Sequence, residues 1–138
     1  MTGDITLSMI KPDIIQDGHV GEIITMIERE GFRIKALKLT QLSLESAGQF
    51  YAAHKERPFY KELCEYMSSN PIIAMILSKD SAVAVFRRLI GATNPTEAAP
   101  GTIRQRFAKS ITANAIHGSD ADETALIEAK FFFPELSL

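Results

Sequence analysis

Residues 71–78 read PIIAMILS, and these eight positions decide what kind of fold the chain can adopt. From Ile72 to Leu77 no polar side chain interrupts the run. A strand with one wet face alternates apolar and polar residues, so an unbroken run of this length belongs to a strand buried on both faces. The seven-residue stretch PIIAMIL is far short of the roughly 20 residues a helix needs to cross a bilayer.

The neighbouring segments extend this reading outward. Upstream, FRIKALKLTQL (32–42) sets Phe32, Ile34 and Ala36 against Arg33 and Lys35, the two-residue period of a strand. Leu37 and Leu39 fall out of that register, which places a bulge near Ala36. Between the two strands lies a helical excursion. Ser43 is placed to cap LESAGQFYAAHKER. Pro58 interrupts it, and PFYKELCEYMSS follows either as a second helix or beyond a kink. Nearer the start, DITLSMI (4–10) alternates Ile5, Leu7 and Met9 with Thr6 and Ser8, a strand with one buried face, and KPD breaks it. GHVGEIITMIEREG carries Val20, Ile23, Ile24 and Ile27 at helical spacing, with Gly31 as its stop.

Downstream, Asp80 or Ser81 caps SAVAVFRRLIG, whose helix ends at Gly91. ATNPTEAAPGT (92–102) is a long Pro/Gly/Thr-rich loop, a length that compact domains reserve for function or disorder. A short helix TIRQRF, a strand-like ITANAIH and a closing helix DETALIEAKFF complete the chain. The order β-α-β-β-α-β predicts a ferredoxin-like α+β domain: a four-stranded antiparallel sheet with helices on one face, and a long loop before the last strand. Residues 1–138 are expected to form a single domain, large enough for a core without staples.

Bulk properties exclude several classes. A net charge of −2 offers no basic field for nucleic acid, and no membrane partner is expected. Cys64 is alone, which rules out an internal disulfide, and no Cys/His spacing resembles a zinc site. DITLSMI is too short and too polar for a signal peptide, so the expected location is the cytoplasm.

Chemistry concentrates around TANAIHGSD (112–120). A histidine at a strand end is commonly structural, and His19 and His54 are read that way when taken alone. His117 has better company. Gly118 permits close backbone approach, Ser119 and Asp120 add polar groups, and Glu128 falls in the last helix, able to fold back on the ring. A carboxylate bound to one imidazole nitrogen fixes the tautomer and frees the other nitrogen as a nucleophile. Lys11, Arg87 and Arg104 all lie beside breaks in regular structure, where cations can converge on phosphate oxygens. No Walker-type loop and no protein-kinase signature is present, so side chains must do most of any phosphate binding.

The set NAIHGSD, GATNPTEAAPGTIR, MIKPD and FYAAHKERPFY resembles the nucleoside diphosphate kinase family from end to end. The resemblance implies transfer of the γ-phosphate of a nucleoside triphosphate, typically ATP, to a nucleoside diphosphate through a phosphohistidine at His117. It implies that Glu128 and Ser119 orient the ring, with Tyr51 against the site. Lys11 and Asn114 would meet ribose hydroxyls and the transferred phosphate, while Arg87, Thr93 and Arg104 hold the phosphate chain and His54 the α-phosphate. Phe59 and Ile111 would clamp the base, a contact tolerant of base identity. Mg²⁺ would enter with the nucleotide, Asp120 reaching it at most through water. A homo-oligomer, hexamer or tetramer, is implied as well. Asn70 in SSNPI and Arg88 in VFRRL depart from the family pattern, and with the sequence stopping at FFFPELSL any oligomer contact that longer relatives make through an extension is expected to be missing. Two other readings stand beside this one: a regulatory or RNA-binding ferredoxin-like module, disfavoured by strands without an RNP-type aromatic run, and a histidine phosphorelay protein on the same fold without efficient turnover.

Overall fold

The computed structural model describes residues 3–137. Four strands, β1 (Ile5–Ile10), β2 (Arg33–Thr40), β3 (Ile72–Ser78) and β4 (Ile116–Gly118), form one antiparallel sheet in the order β2-β3-β1-β4. That is the ferredoxin-like arrangement. PIIAMILS supplies an inner strand, with Ile72 through Leu77 all buried. Ile72, Ala74 and Ile76 pack on one side of the sheet, and Ile73, Met75 and Leu77 on the other.

Helices therefore cover both faces, not the single face expected from the element order. On one side lie α3 (Leu44–Phe50), α4 (Tyr60–Ser68) and α7 (Asp122–Phe132), packed over Leu7 and Met9. On the other lie α1 (Pro12–Asp17), α2 (Val20–Arg29), α5 (Ala82–Ile90) and α6 (Ile103–Phe107), packed over Ile10. The same two-sided burial corrects β1: Thr6 and Ser8 are fully buried, their small hydroxyl side chains tolerated beneath the α2/α5 layer.

Local chemistry explains most boundaries. The bulge in β2 occurs between Ile34 and Ala36, which turns Leu37 and Leu39 outward. Ser43 caps α3 by accepting from the Ser46 amide at 3.0 Å. The helix expected over LESAGQFYAAHKER stops at Phe50, a 3-10 turn follows at Ala52–His54, and α4 begins after Pro58, so the excursion is two helices and not one kinked helix. Ser81 precedes α5 in a left-handed conformation and makes no side-chain cap bond. Asn70 has no positive φ, so a glycine's freedom is not needed there. KPD does more than break a strand: Pro12 occupies the first turn of α1, where its missing N–H costs nothing. That six-residue helix was hidden by its brevity.

The strand expected over ITANAIH shrinks to Ile116–Gly118. Ala115 has φ of +75° and the Ile116 amide donates to the Asn114 carbonyl at 2.9 Å, a γ-turn of the rare positive-φ kind. Such a backbone costs on the order of 1–3 kcal/mol and persists only where its surroundings hold it. Here the Lys11 amide donates to the Ala115 carbonyl at 2.9 Å, which ties the turn to the end of β1.

Candidate active site

His117 sits in β4, paired in register with Met9 of β1. Its Nε2 lies 2.9 Å from Oε1 of Glu128, two turns into α7. With a carboxylate as acceptor, Nε2 carries the proton and Nδ1 keeps its lone pair. Ser119 completes the relay: its Oγ donates to Glu128 Oε1 at 2.6 Å and accepts from the Leu7 amide at 3.1 Å. The imidazole is thus aimed by a carboxylate that is itself held by β1. Phe50 adds a steric wall, its ring 5.5 Å from the imidazole at 76°. An aromatic residue at helical spacing reads as core, so nothing in the sequence singles out Phe50.

The cations bind separate carbonyls, three of them in the segment 112–118 around His117. Arg104 donates from one terminal nitrogen to the Ile116 carbonyl at 2.8 Å and from the other to Gly91 at 3.0 Å. Gly91 can present that oxygen because it stops α5 with φ of +90°, and a Cβ there would collide with Thr102. Arg87 reaches the Gly118 carbonyl at 3.5 Å, a long contact that leaves its other donors available. The guanidinium groups therefore flank His117 on both sides in sequence. Lys11, only 5% exposed, points its Nζ toward the Thr112 carbonyl at 3.4 Å.

Electrostatics show how close these charges are. Burial, then the charge of Arg104, lowers the Lys11 pKa to about 7, against the opposing pull of Asp13. Burial, then the charge of Arg87, lowers Arg104 to about 10. Lys11 and Arg104 are buried like charges, and Arg104 also feels the exposed Arg87, a set with no reason to assemble for stability alone. An anion between them relieves both costs.

Of the six buried side-chain polar atoms without partners among the described residues, three belong to expected site residues, Arg104 Nε, Asn114 Oδ1 and the Tyr51 hydroxyl, and the others are Thr6 Oγ1, Ser8 Oγ and Asp13 Oδ2. Buried polar groups are nearly always satisfied, so each of the three site atoms is free to bond a ligand. Burial, then the charge of Glu128, raises the Tyr51 pKa, so its hydroxyl stays protonated as a donor.

The remaining expected residues lie farther from this core. His54 and Phe59 pair with each other, ring centroids 5.6 Å apart, on the exposed segment between α3 and α4. Thr93 and Ile111 are exposed on loops. Asp120 is exposed directly after Ser119. Arg88 lines a separate cleft with Glu30, Pro100 and Thr102. Among the described residues no three His, Cys, Asp or Glu side chains come together as a metal site. A lone carboxylate such as Asp120 suits a magnesium ion held mainly by phosphates and water.

A ferredoxin-like sheet that presents a carboxylate-backed imidazole to buried arginine and lysine belongs to the class of histidine-based phosphate-handling proteins. The particular family follows from comparison. The family model described as nucleoside diphosphate kinase matches residues 4–138. The chain is 56% identical over 133 residues to a nucleoside diphosphate kinase of Flavobacterium psychrophilum, covering 96% of both chains. It is 57% identical over 128 residues to one of Chlorobaculum tepidum, covering 93% of this chain and 91% of that one. Among solved structures, the nucleoside diphosphate kinase of Aquifex aeolicus superposes with a TM-score of 0.92 at 44% identity over 94% of each chain. The chain belongs to the nucleoside diphosphate kinase family.

Proposed function

We propose that the protein transfers the γ-phosphate of a nucleoside triphosphate to a nucleoside diphosphate, with His117 carrying the phosphate between them. The observation that carries this reading is the orientation of His117: Glu128 occupies Nε2, so Nδ1 is the ring nitrogen left free, with Arg104 and Arg87 bound to the carbonyls of the residues on either side. The Nδ1 lone pair attacks the γ-phosphorus, and the bond to the bridging oxygen breaks with its electrons leaving on the diphosphate. A terminal oxygen of an incoming nucleoside diphosphate then attacks the phosphorus, and the N–P bond breaks. Imidazolium charge formed at phosphorylation is matched by Glu128. One pocket serves donor and acceptor in turn, a ping-pong scheme.

Catalysis in this scheme is positioning plus charge stabilisation. Arg87 and Arg104 hold phosphate oxygens as forks, and Lys11 serves as a compact charge at the transferred group. Asn114 Oδ1 and the Tyr51 hydroxyl, both buried without partners among the described residues, would serve as further polar contacts. Thr93 and His54 extend the phosphate contacts. Phe59 and Ile111, both large and exposed, offer two apolar surfaces for a base, which read a π-face and not its edge. Mg²⁺ bound with the nucleotide would neutralise phosphate charge, and Asp120 is the residue that would reach it, through water.

A homo-oligomeric state, hexamer or tetramer, belongs to the same proposal. Its support is β2, an outer strand whose Leu37 and Leu39 are 47% and 64% exposed, an edge that soluble proteins ordinarily cover or charge. The proposed location is the cytoplasm. No helix among the described residues is long and apolar enough to cross a membrane.

Incubation with γ-labelled ATP and Mg²⁺ tests the transfer directly. The expected label is acid-labile and alkali-stable, and added nucleoside diphosphate discharges it. If His117→Ala accepts and passes on the label, His117 is not the carrier.

A further inference from the structure

Two residues close to the lysine end of the site take no part in the proposed chemistry. Asp13 follows Lys11 by two positions, in the first turn of α1, and is buried. Its Oδ1 accepts from the hydroxyl of Tyr66, and its backbone amide donates to that same hydroxyl at 3.4 Å. Its Oδ2 is buried without a partner among the described residues. Burial raises the Asp13 pKa, opposed by its own backbone hydrogen bond and by the charges of Lys109 and Lys11. A half-satisfied buried carboxylate is a poor stabilising device compared with apolar side chains of similar volume. The pair needs another explanation, and its position supplies one.

Tyr66 lies in the last turn of α4, and Phe59 stands immediately before the first residue of that helix. Near the Phe59 end, the Tyr60 hydroxyl donates to the Gly48 carbonyl of α3 at 3.2 Å. At the other end, Tyr66 is bound to Asp13. The helix that follows Phe59 is thus tied at one end to α3, which closes beside His117, and at the other to α1, which opens beside Lys11. In the nucleotide reading above, Lys11 serves the sugar and transferred phosphate and Phe59 the base.

We propose that Asp13 and Tyr66 are a positioning pair that sets the separation between the phosphate-holding and base-holding ends of the nucleotide site. The inference rests on the nucleotide reading of Lys11 and Phe59 given above. Neither member of the pair touches substrate. Their effect is on where α4 carries Phe59 relative to Lys11, and so on nucleotide affinity more than on the transfer step.

The test separates affinity from chemistry in the intact protein, using ADP binding by calorimetry and ATP-dependent phosphorylation of His117 by rapid quench. Tyr66→Phe keeps the ring and removes the bond. Asp13→Asn keeps an acceptor oxygen for Tyr66 and serves as the conservative rescue. Tyr66→Phe is expected to weaken ADP binding and raise the ATP half-saturation about three- to tenfold, with the saturating phosphorylation rate within about twofold of wild type. Asp13→Asn is expected to bind close to wild type. A Tyr66→Phe protein that melts earlier but binds ADP and ATP normally shows a merely structural pair and overturns the proposal. So does an Asp13→Asn protein that loses as much affinity as Tyr66→Phe, since charge and not the hydrogen bond would then be responsible. Should Tyr66→Phe not fold, Asp13→Ala removes the same bond from the other side and carries the same expectations. Failure of the underlying nucleotide reading is distinguishable: it appears in the wild type alone, as no phosphate on His117.

Discussion

Glu128 has the most exacting role of any single residue in this account, since it decides which imidazole nitrogen is free. An amide in its place can satisfy Nε2 as acceptor but offers no charge to the imidazolium. Glu128→Gln is therefore expected to slow phosphohistidine formation on the order of 10²-fold, measured by quench at saturating ATP. Ser119 carries a second, structural consequence. Ser119→Ala removes the acceptor for the Leu7 amide, and an unpaired buried N–H costs about 1–3 kcal/mol, readable in urea unfolding. Lys11 gives a pH signature whose sign is fixed by its pKa of about 7, down from 10.5. From about pH 7 to about 10.5 the unfolded chain binds the lysine proton and the folded chain does not, so stability from this residue rises with pH across that window. Lys11→Met should flatten the rise between pH 7.5 and 9.5. An unchanged slope would show that Lys11 is charged in the fold. At this scale the sequence was most informative about residues with unusual chemistry, such as His117, Glu128 and the arginines. It was least informative about Phe50, Asp13 and Tyr66, whose types are common in cores and on helix faces and whose roles depend on contacts across dozens of residues.

Elements were legible where one local signal dominated. The closing helix α7 spans the expected residues, Ser43 caps α3, and Gly91 ends α5. They were misread where tertiary contacts overrode the local pattern. ITANAIH alternates like a strand, yet the γ-turn at Ala115 breaks it, and only the hydrogen bond from Lys11 across the sheet makes that turn tenable. DITLSMI alternates like a half-buried strand, yet β1 is covered on both faces because hydroxyls as small as Thr6 and Ser8 can be buried. The close packing of β4 on α5 yields a prediction. A Cβ at Gly118 would stand 2.8 Å from the Phe86 ring and 3.1 Å from Ile90. Gly118→Ala should destabilise by about 1–3 kcal/mol through overpacking, and should shift the histidine beside it. A melting temperature equal to wild type would mean that α5 yields freely.

On the scale of the whole molecule, the β-α-β-β-α-β order was readable because each strand is bounded by a helix signal, whereas the distribution of helices over two faces was not. Composition along one strand reports burial, not which helix provides it. PIIAMILS already implied cover on both sides, and the structure shows that every other strand must share that two-layered environment or stand at its edge. The outcome is a rigid sheet from which His117 projects at one edge, with α7 aiming its ring and α5, α6 and α1 delivering cations to it.

The most direct test of the account is to locate the phosphate itself. Protein incubated with ATP and Mg²⁺ is quenched in alkali, and the modified atom is identified by peptide mass spectrometry together with phosphorus–nitrogen NMR. The account predicts phosphate on Nδ1 of His117, lost on addition of a nucleoside diphosphate that gains it. Dischargeable phosphate on Nε2, on Ser119 or on any residue other than His117 would contradict it.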